Sequence, residues 1–305
     1  MQVGSTVKHS LEGNYKQLAT RFDSEHGVLW TLLNPRTVPC FNLGLLQELR
    51  DHHDAIENSG GNLWIDDQMH PIRYSVAASL VPGVFNLGGQ LALFLQLIRN
   101  RDRDSLLHYA TKCVNVVAQR ALHFNLSLLT ITLLQGDALG GGLEAALTSD
   151  VMIAERSSLM GFPEILFNLF PGMGAYSLLA RKVGNKMAEE IILSGKMYSA
   201  EEFHDMGLVD VLVKDGEGER AVLDYIERQE RRANGFLAVQ KARHLFNPVT
   251  YKELIDITYV WVDAALKLNE RDLKVMERFV RSQEKLFGKS EVPQQSVMPG
   301  NLRVA

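Results

Sequence analysis

The chain is predicted to be an α/β protein, with strands concentrated in its first half and helices in its second. Three observations carry that prediction. Short apolar runs alternate with helix-periodic runs as far as about residue 160, and from Ala175 onward the pattern is mostly helical. Glycine-rich junctions twice join an apolar run to a helical one, the order in which a strand feeds a helix.

Taken in order, Arg21-Phe-Asp and Gly27 to Leu33 read as an opening pair of strands. Leu45, Leu46, Leu49, His53 and Ile56 then recur at helical spacing. Tyr74 to Leu80 and Leu128 to Leu134 are apolar enough for buried strands, and each precedes a glycine junction. The alternation argues for repeated strand-strand-helix turns. Downstream, Leu208 to Val213 is the clear strand. A long helical region from Asn247 to Phe287 sets Leu254, Ile257, Trp261, Ala265 and Leu268 near one face. The expected organisation is an α/β core over 14–195, a mainly helical region over 196–287, and a polar, mobile tail over 288–305.

Bulk properties narrow the function classes. A chain of 305 residues, 46% apolar and 22% charged, has the composition of a globular protein with a full core. A net charge of −4 argues against a general nucleic-acid binder, which needs a basic face. No apolar run reaches bilayer-spanning length, and Met1 to Gln17 has no apolar signal core, so a cytoplasmic location without membrane insertion is expected. Cys40 and Cys113 are too few for a disulfide framework, and no Cys/His spacing suggests zinc, so no metal is expected. His52 and His53 diverge by about 100° on a helix and cannot chelate together; a solvated helix face is expected there.

The chemistry-bearing residues cluster at the glycine junctions. Gly140, Gly141 and Gly142 leave the backbone bare where a helix's first N–H groups lack internal partners, a place that can hold an oxygen acquiring negative charge. Glu144 lies one helical turn beyond Gly141. Val84-Phe-Asn-Leu-Gly-Gly is a second such junction and can place a free N–H at Leu87. Met160-Gly-Phe-Pro-Glu supplies a second carboxylate, Glu164, with Pro163 suited to a first helical turn. Taken singly, each glutamate also reads as a charge set against a helix dipole.

In combination these segments resemble a known family. Phe85-Asn-Leu-Gly-Gly, Ala138-Leu-Gly-Gly-Gly-Leu-Glu144, Pro163-Glu164 and Pro171-Gly-Met-Gly174 are similar to motifs of the crotonase (enoyl-CoA hydratase/isomerase) superfamily. Within it the chain most resembles the diffusible signal factor synthases, which make cis-2-unsaturated fatty acids for cell–cell signalling. Leu166-Phe-Asn-Leu-Phe-Pro-Gly-Met-Gly-Ala-Tyr-Ser177, Met206-Gly-Leu-Val-Asp210 and Trp261-Val-Asp263 carry that closer match, which covers roughly residues 14 to 285. Gln90 departs from the acidic residue usual there.

The resemblance implies a spiral of strand-strand-helix turns with C-terminal helices that trimerise the protein. Catalytic Glu144 and Glu164 are implied, with an oxyanion hole from the N–H groups of Leu87 and Gly141 and supporting backbone at Gly88 and Gly140. Met173, Trp261 and Phe279 are implied to line an acyl pocket. The implied reaction dehydrates a 3-hydroxyacyl thioester on acyl carrier protein and hydrolyses it to a cis-2-unsaturated medium-chain acid. No cofactor is implied beyond the carrier's phosphopantetheine, which arrives with the substrate. Which glutamate is acid and which is base stays open. So do acyl-CoA as carrier, a dimer of trimers, and a sensor-kinase partner. Two other functions also stay open: an enoyl-CoA hydratase of fatty-acid breakdown, and a non-catalytic acyl-binding protein.

Overall fold

Each turn of the chain places one strand in a large sheet, the next in a small sheet, and then returns through helix. The computed structural model describes residues 11, 13–65 and 67–289, with side chains as far as residue 285. β1 (Leu18–Asp23) and β2 (Val28–Leu33) form the expected opening antiparallel pair, with Arg21 opposite Trp30. α1 (Leu43–Asn58) follows; the Asn42 side chain accepts the Leu45 N–H at 2.9 Å and so satisfies one orphan donor of its first turn. A small hairpin, β3 (Asn62–Ile65) and β4 (Gln68–Pro71), stands apart from both larger sheets.

Three spiral turns come next. The first is β5 (Tyr74–Ser79), β6 (Gly83–Asn86), α2 (Leu91–Arg99) and α3 (Arg103–Ala121). The second is β7 (Leu129–Leu134), β8 (Gly136–Leu139) and α4 (Gly141–Leu147). The third is β9 (Val151–Glu155), β10 (Leu159–Gly161), a 3₁₀ turn over Pro163–Phe167, α5 (Ala175–Val183) and α6 (Asn185–Ser194). β11 (Met197–Ser199), α7 (Ala200–Asp205) and β12 (Val211–Val213) complete the sheets, and α8 (Gly218–Glu230), α9 (Ala233–Phe246), α10 (Tyr251–Ala265) and α11 (Glu270–Lys289) follow as the last described elements.

The large sheet runs β1-β2-β5-β7-β9-β12, and every neighbouring pair after the first is parallel. The small sheet runs β11-β10-β8-β6, with β6, β8 and β10 mutually parallel. β2 and β7 are buried at every position, which explains why both read as unbroken apolar runs instead of alternating ones.

Several expectations are corrected. The strand expected at Leu208 to Val213 is shorter, Val211–Val213, and a further one, Met197–Ser199, lies between helices. The long helical region breaks between Ala265 and Glu270. Thr258 and Val262 take the buried positions on α10, while Ile257 and Leu268 are only half-buried. His52 and His53 do not face solvent: both are buried, His52 Nε2 lies 2.9 Å from Thr31 Oγ1, and the His53 ring packs edge-on against Phe124. Helical spacing sets His53 with Leu45, Leu46, Leu49 and Ile56, and that holds; the solvated face expected for the pair does not, because α1 packs against α3 and β1 and so has more than one covered face. The expected tail over 288–305 lies outside the described residues from 290 on, and its first two residues continue α11.

Candidate active site

Three adjacent parallel strands of the small sheet end at the predicted segments. β6 runs into Leu87 and Gly88, β8 into Gly140 and Gly141, and β10 into Pro163 and Glu164. Because β8 pairs with both neighbours, segments roughly fifty and twenty-five residues apart become contiguous at the strands' carboxyl ends, where parallel sheets commonly bind ligands. The junctions need glycine for two separate reasons. Gly88 has φ +90°, and a Cβ there would stand 2.8 Å from the Leu139 carbonyl and 3.0 Å from the Gly141 nitrogen. Gly140 has φ +50°, and a Cβ there would overlap the Glu164 carboxylate.

α4 begins at Gly141 with no side-chain cap, so the Gly141 N–H stands at an open helix end. It is available to an oxygen in the cavity. Leu87 is different: its N–H donates to the Pro39 carbonyl at 2.8 Å, and α2 begins only at Leu91. The expectation of a free N–H at a helix start there is corrected. The cause is tertiary, since Phe41 bridges Gly89 and brings Pro39 alongside Leu87. The neighbouring Gly88 N–H donates to the Asn86 side chain at 2.8 Å. Gln90 donates its backbone N–H to Tyr109 Oη at 3.0 Å, and its side chain makes no cap to α2.

The two glutamates lie in one cavity of about 270 Å³ but are held unequally. Glu144 Oε1 accepts the N–H groups of Met173 at 2.6 Å and Ala175 at 2.9 Å. Burial pushes its pKa up to about 7, and those backbone donors oppose the rise. Glu164 is partly open to the cavity as a residue, yet its Oε2 is shielded and without a hydrogen-bond partner. Burial first, and the nearby Glu144 charge second, push its pKa up to about 8. Glu144 is therefore the better-stabilised anion and Glu164 the better proton holder.

A family model described as enoyl-CoA hydratase/isomerase matches residues 28–260. The chain belongs to that family. It is 29% identical over 221 residues to a probable mitochondrial enoyl-CoA hydratase 2 of Arabidopsis thaliana, covering 72% of this chain and 67% of that protein. It is 39% identical over 198 residues to the fatty acid oxidation complex subunit alpha of Pseudomonas savastanoi pv. phaseolicola, covering 64% of this chain but only 25% of the other. Among solved structures, an enoyl-CoA hydratase from Bacillus halodurans superposes with a TM-score of 0.71 at 19% identity, over 86% of this chain and all (100%) of that one. DspI of Pseudomonas aeruginosa does so at 0.59 and 22% identity, over 90% and 99%. These likenesses establish the crotonase-type fold.

In this member of the enoyl-CoA hydratase/isomerase family, Met173, Trp261 and Phe279 all border the cavity. Met173 packs its sulfur where a Cβ on Gly141 would come, at 2.6 Å, and the Trp261 ring fills the space beside Gly172. Phe94 meets Trp261 edge-on at 5.1 Å and Tyr109 at 5.0 Å; Phe279 meets Phe167 at 5.6 Å. Sequence reading missed Phe94, Tyr109 and Cys113 as lining. Tyr109 and Cys113 stand four apart on α3, a spacing that puts them on one face, but only the fold tells which face meets the cavity. It also missed Gln283, whose side-chain amide donates to the Leu87 carbonyl at 3.0 Å from the far end of the chain. Cys113 is fully buried, and that burial raises its thiol pKa, so it behaves as a neutral wall atom.

Proposed function

We propose that the protein dehydrates a medium-chain 3-hydroxyacyl thioester carried by acyl carrier protein and hydrolyses the product to a free cis-2-unsaturated acid. The observation that carries this reading is the cavity itself: the buried Glu144 and the partly open Glu164 at an open helix end, continuing into an aromatic and aliphatic wall. The thioester carbonyl takes the Gly141 N–H, and takes the Leu87 N–H by displacing the Pro39 carbonyl. Glu144, ionised, removes the α-proton; Glu164, protonated, delivers its proton to the departing 3-hydroxyl, which leaves as water. Water then attacks the carbonyl carbon, the C–S bond breaks, and the carrier thiol departs with a proton. The proton-transfer and oxyanion groups are the chain's own, and the carrier brings its phosphopantetheine.

The hydratases among the chain's relatives favour a second reading, hydration of a 2-enoyl-CoA. The two separate by carrier, chain length and release of free acid. The test supplies butanoyl- and dodecanoyl-length 3-hydroxyacyl substrates on both carriers and follows free 2-enoic acid by mass spectrometry. Free acid from the longer chain on carrier protein is expected. A preference for the short chain on CoA, with no free acid, leaves the hydratase reading standing instead.

A further inference from the structure

A second cavity, of about 470 Å³, shares no lining residue with the first and is built around Asp150. Asp150 sits between α4 and β9 with its carboxylate buried. Oδ2 accepts the Thr130 N–H at 2.9 Å and the Thr130 hydroxyl at 3.0 Å, which fixes the carboxylate plane. Two histidines then present the same ring nitrogen to it. His123 Nε2 lies 2.9 Å from Oδ2, and His244 Nε2 lies 3.0 Å from Oδ1. The imidazole centroids are 4.3 Å apart, and one ligand atom from each of the three residues falls within 4.8 Å of the others.

His123 reaches this position at a conformational cost. His123, Phe124 and Asn125 have φ of 55°, 54° and 54°, three successive non-glycine residues in the left-handed region. The turn is pinned by the buried Phe124 ring against His53, at 4.9 Å, and by the Asn125 amide on Glu57 at 2.6 Å. The fold thus over-determines a strained segment whose effect is to aim one imidazole at Asp150.

We propose that His123, Asp150 and His244 form a site for a divalent transition metal of zinc's preferences, clamping α9 to the core. Two imidazole nitrogens and one carboxylate oxygen, with water from the adjoining cavity, make a four-coordinate set of the type zinc accepts. Bonds of about 2.0–2.2 Å place tetrahedral ligands roughly 3.3 Å apart. His123 meets Oδ2 and His244 meets Oδ1, so one imidazole must shift across the carboxylate to share a single oxygen, a movement bounded by the 4.8 Å within which the three ligand atoms already lie. Thr130 is the outer partner that orients the carboxylate. The surrounding charges are mixed. Asp210 adds negative charge to the cavity wall, and Lys182 is committed to the Ser149 carbonyl at 3.0 Å. Arg243 is the competitor: its guanidinium lies 2.8 Å from Oδ1, on a half-exposed side chain free to swing away. The clamp matters because α9 contributes no buried residue of its own.

The test titrates chelator-stripped protein with Zn²⁺ by calorimetry and with Co²⁺ by visible absorption, near neutral pH, where metal must displace fewer protons. Saturable binding of one ion per chain is expected, with a tetrahedral Co²⁺ spectrum. His244→Gln, at a half-exposed position, and His123→Gln should each weaken binding at least about tenfold, while Arg243→Gln should tighten it. Zn²⁺ should slow amide exchange across residues 233–246 in the wild type but not in His244→Gln. Absence of binding, or equal binding by wild type and His244→Gln, overturns the site and leaves the cluster as an ion pair or the ion as an adventitious one.

Discussion

Glu144 and Glu164 carry the same side chain and differ only in what their oxygens meet. Glu144 rests on two backbone N–H groups, whereas Glu164 has an unpartnered, shielded oxygen and a carboxylate neighbour. Glu144→Gln and Glu164→Gln should each lower product formation on the order of 10²–10⁴-fold without unfolding the chain. Isotope exchange divides the roles: Glu164→Gln should still exchange the substrate α-proton with solvent, and Glu144→Gln should not. The opposite pattern reverses the assignment. The raised pKa values also make a stability prediction. Each group binds its proton more tightly folded than unfolded, so its contribution is complete below the ordinary carboxylate range and is lost as pH rises toward about 7 for Glu144 and about 8 for Glu164. Stability in urea should fall across that window, by up to about 1.4 kcal/mol per pH unit for each group, and Glu164→Gln should flatten the slope. An unchanged slope means that the folded protein does not hold these protons. At this scale the glutamates were legible because each follows a local glycine or proline signal. The Pro39 carbonyl on the Leu87 N–H was not, since their partnership spans the fold.

At the scale of elements, the cavity is an agreement among helices remote in sequence. α2 and α3 supply Phe94 and Tyr109, α10 supplies Trp261, and α11 supplies Phe279 and Gln283. Trp261 is buried at 4% exposure, and its ring touches both Phe94 and the backbone at Gly172. Trp261→Ala should therefore cost about 3–5 kcal/mol of stability and shift the preferred acyl length, while α-proton exchange persists. Denaturant unfolding and a substrate-length series measure the two effects separately. A variant with unchanged chain-length preference removes Trp261 from the acyl wall. Periodicity placed Trp261 correctly on the inner face of α10. It could not show that α11 would fold back over the same cavity, because helical spacing records a face and not its partner.

Over the whole molecule, α9 and α10 leave an apolar surface uncovered. Leu245 and Phe246 are 82% and 89% exposed, with Leu237, Val239, Tyr259 and Val260 also open to solvent. Large apolar side chains left open to solvent on these two helices are the kind of surface that a partner covers. The trimer implied by the family resemblance supplies an occupant, a second copy of this chain. Phe246→Asp should shift the protein toward monomer in sedimentation velocity at micromolar concentration. A wild type that sediments as a monomer removes the premise. Among the described residues no helix is long and apolar enough to cross a membrane.

The sequence by itself determined the α/β class, the glycine-rich segments, both glutamates as candidates and the family, because each of these is written in contiguous residues whose spacing obeys local geometry. Tertiary structure alone decided the rest. It set β6, β8 and β10 side by side so that three distant loops meet, buried His52 and His53, and occupied the Leu87 N–H. It also gathered His123, Asp150 and His244 from three separate stretches around one carboxylate. Hydrogen bonding and desolvation depend on what surrounds an atom in space, and in a spiral of parallel strands those surroundings come from residues far away along the chain.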